Sequence, residues 1–163
     1  EESHDGEANR IIEAVSEGVI FASLHHSCLA DYVAFLRPRL TATQRAVAIV
    51  QAFAHWGEPY DFDFDFQTFT TVVCSELVYW SYKLPKEHGA GLNFDPLPEI
   101  MGRLSLPPND IIEAFDATYG TGEQQLDFVA FLDGNEATQT ANKATVDDLR
   151  ASWKRTKWDL SQR

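Results

Sequence analysis

Two short apolar runs, Arg10-Ile11-Ile12-Glu13-Ala14-Val15 and Val19-Ile20-Phe21-Ala22-Ser23, are separated only by Ser16-Glu17-Gly18. Runs of this length rich in β-branched residues form strands, and so short a connection allows only an antiparallel return. The chain is therefore committed near its start to a β-hairpin, with Gly18 as the permissive turn residue. Leu24 to Ala30 reads as a short polar connection. Asp31 to Arg37 reads as a third strand, ended by Pro38, which has no N–H to give to a ladder.

The pattern then turns helical. Thr41 or Thr43 caps a helix on which Ala46, Ile49, Val50 and Phe53 recur on one face. Gly57 stops that helix and Pro59 follows. A second helix is predicted from about Val73 to Tyr82, buried through Leu77, Val78 and Trp80, with Pro85 marking its limit. Gly89-Ala90-Gly91 and Pro96, Pro98, Pro107 and Pro108 indicate loop, followed by a helix over Ile111 to Phe115 capped by Asn109 or Asp110. Leu126 to Leu132 is the last predicted strand, and the polar stretch Asn135 to Arg163 holds an amphipathic helix over Val146 to Trp153. This order predicts an α+β fold, an antiparallel sheet packed against helices. The expectation is one domain over 1–163, with a core of about 10–132 and a polar extension of about 135–163.

Composition narrows the function. The longest apolar run, Ala46 to Phe53, falls far short of the roughly 20 residues of a membrane-spanning helix, so no membrane span is expected. A formal net charge of -12, from 25 acidic and 13 basic residues, would repel a phosphate backbone and argues against nucleic acid as a partner. The surplus acid reads first as a solubility feature. Cys28 and Cys74 are the two cysteines, too few for a disulfide-stapled domain and without the spacing of a zinc site, so both read as free thiols. Asp61-Phe62-Asp63-Phe64-Asp65-Phe66 opens like a calcium loop. It has Phe66 where that loop needs glycine and Val72 where it needs glutamate, and reads instead as an extended segment with its aromatics on one side. Neither a metal nor a cofactor is expected.

Cys74 opens the second predicted helix, after Thr70-Thr71-Val72-Val73. The unpaired N–H groups and positive dipole end of a helix start favour a thiolate there, and the same N–H groups can hold an oxyanion. The alternative is a buried cysteine serving as a small hydrophobe, the commoner fate of a lone thiol. A thiol enzyme also needs a base, nearly always histidine, and a group to orient it. His55 sits where a helix C-terminal cation would, His88 lies in a glycine-rich loop, His25 and His26 follow a strand, and His4 lies in a polar stretch. None of them is placed convincingly by its neighbours. Glu13 is a carboxylate within an apolar strand, either turned outward by simple alternation or aimed at a catalytic imidazole.

Taken together, Gly57-Glu58-Pro59-Tyr60-Asp61-Phe62-Asp63-Phe64 and Val73-Cys74-Ser75-Glu76-Leu77-Val78-Tyr79 resemble the YiiX-like branch of the permuted NlpC-type papain-fold proteins. Ile11-Ile12-Glu13-Ala14-Val15, Gly18-Val19 and Val33-Ala34-Phe35-Leu36-Arg37-Pro38 fit the same family in the same order. The resemblance implies a circularly permuted papain-like fold, in which the strand bearing the catalytic histidine precedes the cysteine helix. It implies Cys74 as nucleophile, Tyr60 as a tyrosine lining the site and Glu13 as the group that orients the histidine. It further implies a cysteine hydrolase of amidase or peptidase type, acting on a peptide or a small acyl substrate. A non-catalytic binding module of the same fold and a lipid acyltransferase are the alternatives. The family's histidine would head an apolar strand just before the loop leading to Ile11. The expectation is that this strand is missing from the chain as given and lies upstream, His4 being a poor substitute.

Overall fold

The computed structural model of the protein describes residues 6–68, 70–135 and 138–155. β1 (Asn9–Val15) pairs antiparallel with β2 (Gly18–Ser23), Glu13 opposite Ile20 and Val15 opposite Gly18. Gly18 has φ 109°, and a Cβ there would lie 2.5 Å from the Glu58 carbonyl oxygen. Both the backbone conformation and the close approach therefore require glycine. The approach is productive, because Val19 N–H donates to Glu58 O (2.9 Å) and Gly57 N–H to Val19 O (2.9 Å).

The segment expected to be a polar connection contains one turn of helix, α1 (Leu24–Ser27). Ser23 causes it: its hydroxyl accepts from His26 N–H at 3.0 Å, a side-chain cap that overrides the polar composition. After β3 (Tyr32–Pro38), Thr41 caps α2 (Ala42–Ala54). Gln44 N–H donates to Thr41 Oγ1 (3.2 Å) and Thr41 N–H to Gln44 Oε1 (3.0 Å), a reciprocal capping box.

α2 departs from expectation in the face it buries. Ala48 and Ala52 are its buried residues, while Ile49, Val50 and Phe53 are 57%, 68% and 54% exposed. The two small residues let α2 approach α3 (Cys74–Tyr82) closely, and Gln51 Nε2 donates to the Trp80 and Ser81 carbonyls at 3.2 and 2.7 Å. Phe53 stands over Phe21 of β2, ring centroids 5.2 Å apart. Ala14, Val19, Val72 and Leu77 form the buried cluster beneath the hairpin, with Ile12 and Tyr60 packed against it. The region read as loop contains a small hairpin, β4 (Glu99–Ile100) with β5 (Arg103–Leu104), turning through Met101 and Gly102 at φ 54° and 82°. Strands so short carry no periodicity to read.

Contacts divide the chain into two compact units, Glu1–Ala30 with Pro38–Pro108, and Asp31–Arg37 with Asn109–Arg163. The first holds the elements just described except β3. The second is built from β3, α4 (Pro108–Thr118), β6 (Leu126–Asn135), β7 (Thr140–Ala144) and α5 (Val146–Ser152), its sheet ordered β3-β6-β7. Phe115, Phe131 and Leu149 are its most deeply buried side chains. β7 was not predicted, because Thr-Ala-Asn-Lys-Ala has no apolar face; it forms by pairing with β6, Phe131 opposite Ala144. The mixed helices and antiparallel pairs are those of an α+β protein. Among the described residues no helix is long and apolar enough to cross a membrane.

Candidate active site

The hairpin's grip on Gly57 and Glu58 delivers the chain to Pro59 and Tyr60, and a second lacing carries it to Cys74. Val72 N–H donates to Pro59 O (3.0 Å) and Asp61 N–H to Val72 O (3.2 Å), so Tyr60 and Val72 run as a parallel bridge. Two residues beyond Val72, Cys74 is the first residue of α3. The Tyr60 hydroxyl lies beside the Cys74 thiol. Burial pushes the Tyr60 phenol above its ordinary range, and the adjacent thiol pushes it further, so the phenol stays protonated at neutral pH.

The start of α3 is unusual in its cap. Ser23, Thr41 and Thr145 cap α1, α2 and α5 with side-chain oxygens, whereas the residue before Cys74 is Val73, which has none. The first-turn N–H groups therefore have no side-chain acceptor from the cap. Glu76 stabilises this start from below. Its carboxylate accepts from Val73 N–H (3.3 Å) and from Trp80 Nε1 (3.0 Å), and only 1% of the residue is exposed. Burial pushes the Glu76 carboxyl up, against the two hydrogen bonds that pull it down.

Cys74 is exposed and Cys28 half-buried, both as free thiols. Asp61 departs from the extended segment expected there. Its carboxylate accepts from the N–H groups of Asp63 (2.8 Å) and Asp65 (2.9 Å), which folds residues 61–67 into turns. A short polar side chain competing for its own backbone explains why alternation misled.

Glu13 lies elsewhere on the hairpin. Ile12 and Ala14 pack toward α3, so alternation turns Glu13 to the other face. Its Oε1 is buried and accepts no hydrogen bond among the described residues; His26 Nε2 stands 3.9 Å away, beyond hydrogen-bonding reach. The structure thus brings Tyr60 to Cys74 and sets Glu13 beside His26. His55 caps α2 and pairs with Glu58 at 2.8 Å, and the His88 carbonyl accepts from Gln44 Nε2; His4 lies outside the described residues. A cavity of about 340 Å³ between α2 and α3 is lined by Gln51, His55, Glu58, Glu76 and Trp80 among others, behind the helix start and not at Cys74.

Sequence reasoning passed over Glu76. Its signal was present, a glutamate three residues after an apolar position at a helix start, the reaching-back half of a capping box. Chemically, the arrangement offers an exposed thiol at a helix start, a protonated phenol beside it and first-turn N–H groups without a cap acceptor. That set can attack a carbonyl and hold the charge that develops on its oxygen. A profile of the permuted papain-like amidase family, YaeF/YiiX, C92, matches residues 2–127. No curated protein and no solved structure gives a match.

Proposed function

The chain belongs to that family of permuted papain-like amidases, and on this premise we propose that it is a thiol hydrolase with Cys74 as its nucleophile. Cys74 Sγ attacks an amide or ester carbonyl carbon, and the π electrons of the carbonyl move to its oxygen. The first-turn N–H groups of α3 and the Tyr60 hydroxyl hold that oxyanion. An imidazole takes the thiol proton and returns it to the leaving amine or alcohol as the thioester forms. Water then attacks the thioester, the same imidazole takes the water's proton, and it passes that proton to Sγ as the C–S bond breaks and the acid departs.

The family likeness sets this imidazole on a strand before β1, in the permuted order; Glu13, on the face of β1 turned away from α3, is not positioned to orient an imidazole at Cys74. One feature favours that strand. Among the described residues β1 pairs with β2 alone, which leaves its other edge open to a further strand.

The observation that carries the reading is an exposed Cys74 thiol, beside the Tyr60 hydroxyl, at a helix start whose cap offers no oxygen. The test is hydrolysis of p-nitrophenyl acetate by the wild type, Cys74→Ala and Cys28→Ala. Release of p-nitrophenol should disappear with Cys74→Ala and persist with Cys28→Ala. Turnover that survives Cys74→Ala would refute the assignment.

A further inference from the structure

The turn that follows Tyr60 places two large aromatic side chains in solvent. Phe62 is 68% exposed and Phe64 49%. Their rings pack edge-on against Tyr60, with centroids 5.0 and 6.2 Å from its ring. The phenol at the centre of this trio is the one beside the Cys74 thiol. An apolar shelf therefore adjoins the thiol on the side from which Tyr60 approaches it.

The shelf is held in place. Asp61, 4% exposed, ties down the N–H groups of Asp63 and Asp65 on either side of Phe64. Arg103 of β5 donates to the Asp63 carbonyl, and Phe66 N–H donates to Leu104 O at 3.2 Å. Phe64 itself has φ 55°, the left-handed region that a bulky L-residue rarely adopts. Strain of this kind persists where surrounding contacts over-determine it, and it clusters at ligand-binding sites.

We propose that Tyr60, Phe62 and Phe64 form a subsite for an apolar group beside the scissile bond, so that the substrate class is a carbonyl compound bearing an aromatic or alkyl group. The inference rests on Cys74 as nucleophile and adds specificity to it. Two sources share this chemistry, an aromatic residue of a peptide and an alkyl chain.

The test uses alkylation of Cys74, which requires no turnover. Second-order rates are measured with iodoacetamide, N-phenethyl iodoacetamide and N-hexyl iodoacetamide, each divided by the rate with free cysteine and located by mass spectrometry. The shelf should make at least one apolar reagent about tenfold faster than iodoacetamide at Cys74, from the area the added group buries. Which reagent gains more separates the aromatic from the alkyl source. Phe62→Ser and Phe64→Asn, the latter a residue that tolerates φ > 0, should each erase most of the preference. Val50→Ser, removing an exposed apolar side chain on α2, should keep it. Rapid labelling by all three reagents without preference, or a preference untouched by both phenylalanine substitutions, would overturn the subsite alone. Slow labelling by all three would overturn the nucleophile and the subsite with it.

Discussion

At the residue scale, Tyr60 differs from Cys74 in how it could be found. The place of Cys74 at a helix start was legible from the apolar pattern that follows two valines, and α3 does begin there. The contact of Tyr60 with Cys74 depends on the lacing of Pro59 and Asp61 to Val72, which no local pattern encodes. If Tyr60 holds the oxyanion, Tyr60→Phe should lower kcat by about 10²-fold, the scale of losing one such donor. KM should move much less, and steady-state kinetics on p-nitrophenyl acetate reads the split. Glu76 makes a different prediction. Glu76→Ala leaves Val73 N–H and the Trp80 indole N–H without their acceptor, which should cost about 1–3 kcal/mol. A lower urea midpoint at unchanged m-value would report it.

At the element scale, legibility followed how locally each element is determined. The β1–β2 hairpin and the Thr41 cap depend on residues within a few positions of each other, and both form as the sequence predicts. α2 shows the other case. Its apolar stripe predicted burial of Ile49, Val50 and Phe53, yet the two-alanine face packs on α3. Periodicity finds a helix, but partner geometry selects the face. β7 and the β4–β5 hairpin exist through pairing alone, without a hydrophobic pattern of their own. The Gly18 turn gives this scale its prediction. Gly18→Ala forces a Cβ against Glu58 O at a strained φ, and should destabilise by about 1–3 kcal/mol. It should also slow Cys74 chemistry, because Glu58 leads into Tyr60; a urea melt and an alkylation rate on one sample read both effects.

At the scale of the whole molecule, the acidic surface sets the response to pH through the carboxylates that have partners. Asp116, in the second unit, accepts from Trp153 Nε1 (3.2 Å) and Arg150 Nε (2.8 Å), and these bonds hold its carboxyl below the usual range. A carboxyl lowered in the folded state contributes stability above its unfolded value of about 3.9, and loses it as pH falls through the folded value. Thermal midpoints of wild type and Asp116→Asn should therefore differ at pH 7 and converge below about pH 3.9. A gap independent of pH would contradict that. The central claim, that the fold activates Cys74, also belongs to this scale, because it compares the folded with the unfolded chain. Its most direct test is the iodoacetamide labelling rate of Cys74 and Cys28 at pH 7, in the native protein and in urea. The account predicts that Cys74 reacts faster folded than unfolded, while Cys28, half-buried, reacts more slowly folded. A Cys74 that reacts no faster in the native protein than in urea would contradict it.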